Sequence, residues 1–217
     1  VQTQDAKNFQ FLPARFDAGV TRAACAAASV FVRLGWSANA MTVLSLFAAA
    51  AGGVCFALGR PFPASAAILV CGILDGLDGK VAAATGTASA FGAILDSTLD
   101  RYAEAFLFLG LAVFFRRRWI LWLALAALVG AFMVSYTRAR AEGLGFDGRA
   151  GMMRRAERFL LLGLAAFIGS LAPVFDEAMI AALGAIALFS NITAAQRAAR
   201  VRSAEKAALR AKEPPHG

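Results

Sequence analysis

The sequence predicts an all-α integral membrane protein, with six transmembrane helices preceded by an N-terminal interfacial amphipathic helix. Three observations carry this. Hydrophobic residues make up 59% of the 217, and mean hydropathy is +0.64, above the range of a water-soluble globular chain. The runs 40–58, 64–74, 106–115, 119–136, 159–171 and 178–192 hold no charge at all. The basic residues, finally, are distributed unequally between the segments that would lie on the two sides of a bilayer.

The elements follow in order. Residues 1–14 are polar. From Ala14 to Leu34, Phe16, Val20, Ala23, Ala24, Ala27, Val30, Phe31 and Leu34 recur at helical spacing, with Arg15, Arg22 and Arg33 outside the stripe. That pattern predicts a helix lying in the interface. Gly35 ends it, and Ser37 or Asn39 can cap the next helix. A span needs roughly 20 apolar residues to cross about 30 Å of hydrocarbon. Extending the charge-free runs by their Gly- and Ala-rich flanks gives spans at 40–58, 63–83, 91–115, 119–140, 156–172 and 176–195. Gly59-Arg-Pro-Phe-Pro63 breaks the first from the second. Residues 1–217 thus form one domain: an interfacial segment 1–37, a six-helix bundle 38–195, and a basic tail 196–217 expected as a frayed surface helix.

Six spans put both termini on one side. That side receives 18 basic residues, among them Lys7, Arg15, Arg138, Arg149, Arg155, Arg197 and Lys212, and the other receives Arg60 and the triplet Arg116–Arg118. Eighteen against four places the termini in the cytoplasm, in a cell inner or plasma membrane. The net charge of +8 then reads as topology plus attraction to anionic lipid. Neither zinc spacing nor an aromatic platform among basic residues argues for nucleic acid. Cys25, Cys55 and Cys71 form no CxxC pattern, so no disulfide or metal role is assigned to them. His216, the one histidine, is given no role.

Within this apolar chain, LDGLDGKVAAATGTASAFGAILDSTLDRY (74–102) holds four aspartates. Asp75 and Asp78 are three apart at the end of the second span, and Asp96 and Asp100 four apart at the start of the third. Either spacing puts a pair on one helix face. The short 84–90 connection makes the two helices antiparallel neighbours, so the four carboxylates converge. Each costs roughly 2.5–3.5 kcal/mol at membrane depth. Pairing with arginines or a water-lined cavity would offset part of this. A divalent cation pair offsets it more economically, and an all-oxygen donor set favours Mg²⁺ or Mn²⁺. Two ions about 3.5–4 Å apart are the arrangement that clamps a phosphoryl group.

Asp75-x2-Asp78-Gly79-x2-Ala82-x9-Gly92-x3-Asp96-x3-Asp100 resembles the signature of the CDP-alcohol phosphotransferases, membrane enzymes of phospholipid biosynthesis. They join a CDP-activated lipid to an alcohol and release CMP. An interfacial helix followed by six spans is the family's architecture, and homodimers are its habit. The resemblance implies metal binding by Asp75, Asp78, Asp96 and Asp100, with Asp100 also the general base. The family's arginine after Gly-x2-Ala, which helps to hold the CDP moiety, is replaced here by Ala83. Gly79, lacking a side chain, lets a nucleotide approach, and Ser89 could donate to it. Asn39 and Thr42 match the family's Pro-Asn-x-x-Thr, with Ala38 for the proline; they read equally as helix caps.

SYTRARAEGLG (135–145) and RRAERF (154–159) resemble the branch making phosphatidylinositol phosphate or its archaeal ether-lipid counterpart. There the acceptor is inositol phosphate, bound through basic residues that correspond to Arg138, Arg155 or Arg158, and Arg197. Arginine forks suit phosphate. Positive-inside anchoring and an Arg138–Glu142 helix pair would explain the same residues. Glycerol 3-phosphate remains an alternative acceptor, and a divalent-cation transporter an alternative of another class. Aspartates near one face rather than the midplane, with no internal repeat, argue against the transporter. A CDP-lipid binder without turnover is motivated by Ala83 alone.

Overall fold

The structure, a computed structural model, describes residues 25–148 and 151–210. The first part of the expected interfacial helix lies outside the described residues, as do Lys7, Arg15, Arg22, Arg149, Lys212 and His216. Every regular element among the described residues is helical. They are α1 (25–33), α2 (Ala38–Ala57), α3 (Pro61–Thr85), α4 (Ala90–Phe114), α5 (Ile120–Gly143), α6 (Arg155–Leu171) and α7 (Phe175–Arg210).

Local chemistry sets these limits. Gly35, at φ 74°, closes α1, and Ser37 caps α2 by accepting from the Ala40 amide at 3.2 Å. Gly59 turns the chain at φ 68°, and Pro61 opens α3 where a missing N–H costs nothing. Gly86 ends α3 in the left-handed region, and Ser89 caps α4 through the Gly92 amide at 3.0 Å. Among the described residues, α2, α5 and Phe175–Ala207 of α7 are long and apolar enough to cross a membrane. The 25-residue α3 and α4 have the length but carry the aspartates, and α6 has 17 residues. The sequence expects span 176–195 to be followed by a separate, frayed surface helix; the two are one, α7 running unbroken for 36 residues, about 54 Å.

The helices close into a ring. α2 packs on both α3 and α4, α4 on α5, α5 on α7, α7 on α6, and α6 back on α3. The sequence reading makes α3 and α4 antiparallel neighbours; their aspartates do meet, while the principal packing of both helices is against α2. Glycine is the reason. A Cβ on Gly53 would collide with the Phe106 carbonyl, and one on Gly110 with the Gly53 backbone, so α2 and α4 meet backbone to backbone. The aspartate-bearing ends of α3 and α4 face one another.

One core runs through the ring, with Phe56, Ile68, Leu107, Phe108, Leu111, Leu162, Met179 and Ile186 buried. A smaller cluster joins Ala28 of α1 to Met41, Leu74, Leu77 and Val81, so α1 rests against the aspartate end of α3. Outward, Phe47, Leu69, Phe91, Trp122 and Leu160 are exposed. In water that much apolar surface would be a liability; against hydrocarbon it costs nothing.

Candidate active site

The aspartate-bearing turns of α3 and α4 converge. Asp75, Asp78 and Asp96 each offer a carboxylate oxygen within 4.8 Å of the others. Asp78 is buried and held twice: Thr42 Oγ1 donates to its Oδ2 at 2.7 Å, and the Gly79 amide to its Oδ1 at 2.6 Å. Asp100, one turn beyond Asp96 on α4, joins the trio through an arginine. Nη1 of Arg155 contacts both Asp75 and Asp100. Arg101 also reaches Asp100, at 3.2 Å.

This donor set fits a divalent cation. Oxygens opposite one another on Mg²⁺, each about 2.1 Å from the ion, lie about 4.2 Å apart, so small side-chain rotations suffice. Among the described residues no histidine or thiolate competes at the cluster. The arginine pairing weighed from sequence is present too, since Arg155 binds two of the four carboxylates. A single cation leaves excess negative charge there. Only one guanidinium nitrogen of Arg155 is spent: Nε and Nη2 are buried without a hydrogen-bond partner. Its guanidinium lies 4.6 Å over the Phe159 ring, which holds its plane.

A groove of about 520 Å³ leads away from the cluster between α3 and α6. Phe62, Ile68, Leu69, Ile73, Leu160 and Phe167 line it, with Asp75 and Arg155 at one end. Its chemistry suits hydrocarbon along its length and charge at its mouth.

The remaining sequence candidates divide. Gly79 has open space where a side chain would project, so the helix backbone beside Asp78 can be approached. Ser89 is the α4 cap, and Asn39 lies beside Gly92, its Oδ1 3.4 Å from where a Cβ on that glycine would sit. Thr42, read from sequence as a cap or nucleotide contact, donates to Asp78. Arg138 is exposed and pairs with Glu142 at 2.9 Å. Arg197 is buried and donates to the Val134 carbonyl of α5. Arg158 departs furthest from its expected role. At 1% exposure it is committed to Glu104 and, at 3.0 Å, to the Met153 carbonyl, so burial leaves it no open face toward an acceptor. Glu104 itself was not foreseen. The signal was there, since a carboxylate one turn past Asp100 at the edge of an apolar run is costly unless paired.

Residues 36–193 match the family model for CDP-alcohol phosphatidyltransferase. An archaetidylinositol phosphate synthase of Methanothermobacter thermautotrophicus is 35% identical over 161 residues, 74% of this chain and 82% of its own. A phosphatidylinositol phosphate synthase of Mycobacterium marinum is 32% identical over 172 residues, covering 76% and 74%. Among solved structures, the Mycobacterium tuberculosis phosphatidylinositol phosphate synthase with CDP-DAG bound superposes with a TM-score of 0.74 at 30% identity, over 83% of this chain and 94% of that one. The same enzyme with manganese and citrate also gives a TM-score of 0.74, at 28% identity over 82% and 88%. The match spans all four aspartates and five of the seven helices in full, and on that ground the chain belongs to the CDP-alcohol phosphatidyltransferase family of enzymes.

Proposed function

We propose that this enzyme transfers a phosphatidyl-type group from a CDP-lipid, CDP-diacylglycerol or its ether counterpart, to a hydroxyl of inositol phosphate, releasing CMP. One observation carries the reading: the carboxylate cluster, a half-used arginine and an apolar groove meet at one point, at Asp75 and Arg155. A donor with a charged diphosphate and two hydrocarbon chains needs the cluster and the groove together. A phosphorylated acceptor needs a cation beside them, which Arg155 supplies. The relatives named as inositol-lipid phosphate synthases support that acceptor.

Asp75, Asp78, Asp96 and Asp100 would hold Mg²⁺ or Mn²⁺, two ions in the full site, whose charge offsets that of the diphosphate. The manganese-bound relative supports such a metal. Thr42 fixes Asp78, and the open space at Gly79, with Asn39 and Ser89 nearby, receives the nucleotide. Asp100 takes the proton as the acceptor oxygen attacks the lipid-bearing phosphorus, and the bond from that phosphorus to CMP breaks. Positioning and electrostatics carry the acceleration. Arg155 meets the acceptor's phosphate with its free edge, and Arg138 and Arg197 add positive potential from α5 and α7. In this reading six helices, α2 to α7, span the bilayer, α1 lies in the interface, and the termini and active site face the cytoplasm. The protein acts as a homodimer.

The test is CMP release by purified protein with CDP-diacylglycerol and Mg²⁺, offered inositol 1-phosphate, glycerol 3-phosphate, free inositol or serine. Release with inositol 1-phosphate alone is expected. Release with glycerol 3-phosphate alone would transfer the reading to a phosphatidylglycerophosphate synthase. Metal uptake into vesicles without CMP release would favour the transporter.

A further inference from the structure

Glu104 and Arg158 form a buried pair that the proposed chemistry does not use. Both are almost wholly buried, at 0% and 1%. Nε of Arg158 donates to Glu104 Oε1 at 3.0 Å, Nη2 donates to the same oxygen, and Nη1 donates to the Met153 carbonyl at 3.0 Å. Glu104 lies one turn beyond Asp100 on α4, and Arg158 one turn beyond Arg155 on α6. The two helices are therefore joined by successive rungs, Asp100 to Arg155 and Glu104 to Arg158. Arg101 links the rungs along α4, 3.2 Å from Asp100 and 3.7 Å from Glu104.

The principal packing neighbours of α6 are α3 and α7, not α4. Apolar contact with α3 and α7 tolerates small slides and rotations, whereas a guanidinium fork on a carboxylate is directional. The chain entering α6 is pinned as well. The Met153 amide donates to Thr193 Oγ1 at 3.4 Å, and a Cβ on Gly151 would collide with the Thr193 side chain. A buried ion pair is a poor way to gain stability, because apolar side chains of similar volume often do as well. Its use is to define geometry.

We infer that Glu104 is a positioning residue: through Arg158 it sets the height and rotation of α6 at which Arg155 meets Asp75 and Asp100 and keeps its second edge uncommitted. This rests on the reading of Arg155 as the contact for the acceptor's phosphate. A loss of Glu104 then acts first on the acceptor, because a directional guanidinium fork loses more from a small displacement of α6 than does the apolar groove between α3 and α6, which tolerates small slides.

The experiment compares wild type, Glu104→Gln, Arg158→Lys and the double variant Glu104→Leu with Arg158→Met, in nanodiscs, by CMP release and thermal melting. The double variant removes both charges at similar volume, so it is expected to melt as wild type does. Its acceptor KM is expected to rise about tenfold or more, as small misplacements of a binding group cost, while its CDP-lipid KM changes less than twofold. Arg158→Lys, which keeps the charge and loses the fork, is expected to fall between. A double variant with wild-type melting and a wild-type acceptor KM would overturn the inference. Should the double variant not fold, Glu104→Gln decides: a rise confined to the acceptor KM supports positioning, and equal losses for both substrates overturn it. Failure of the functional reading would instead show in the wild type, as no CMP with any acceptor.

Discussion

Replacing Thr42 with valine isolates what holds Asp78 in place. The Thr42 hydroxyl has one hydrogen and two acceptors in range, Asp78 Oδ2 at 2.7 Å and the Ala38 carbonyl at 3.1 Å. The nearer, charged acceptor takes it. Both side chains are buried, so water cannot stand in for the lost donor. A hydrogen bond to a charged group contributes about 1.5–3 kcal/mol. At about 1.4 kcal/mol per factor of ten, Thr42→Val should weaken metal binding by about 10- to 100-fold, the range expected when a partner of a metal ligand is removed. Free Mn²⁺, followed by its electron paramagnetic resonance during titration of the purified protein, reads the Kd directly. Thr42→Ser keeps the hydroxyl and should stay near wild type. A Thr42→Val Kd within twofold of wild type, beside a clearly weakened Asp78→Asn control, would refute the reasoning.

Asp100→Asn should abolish CMP release while Mn²⁺ binding to Asp75, Asp78 and Asp96 survives in part; normal turnover would remove Asp100 as the base. Ala83→Arg, at an exposed position one turn past Gly79, should lower the CDP-lipid KM, and an unchanged KM would mean the nucleotide is held without that contact. Gly110→Ala drives a methyl into the Gly53 backbone and should destabilise by about 1–3 kcal/mol or more, read as a lower melting temperature in detergent; an unchanged melt would mean that α2 and α4 are free to separate.

Much of the site was legible in the sequence because it is written in short spacings. Asp75 and Asp78, and Asp96 and Asp100, each share a helix face by geometry alone, and Gly86 with Ser89 marks where the chain turns between them. Helix limits followed equally from local chemistry. What spacing cannot encode is which helix lies beside which. The backbone approach of Gly53 to Gly110 sets α2 against α4, yet neither glycine stands out among so many in an apolar chain. The partners of long side chains were hidden for the same reason. Arg155 and Arg158 differ by three positions in one motif, and only the packed bundle sends one to the aspartates and the other to Glu104. Helix beyond residue 195 is legible from its Ala- and Arg-rich composition, but composition does not show that it continues the last apolar helix without a break.

The order of helices around the ring has a consequence for how the enzyme is made. Within the ring, α2 to α5 make an open arc with α3 at one end and α5 at the other, and the last hairpin, α6 and α7, bridges the two. All four aspartates belong to that arc, whereas Arg155 and half of the apolar groove arrive with the hairpin. A chain without the hairpin therefore carries all four carboxylates with Arg101 at Asp100 but without Arg155, and with only the α3 wall of the groove. Only when α6 and α7 have docked are the carboxylates, Arg155 and both walls of the groove present together.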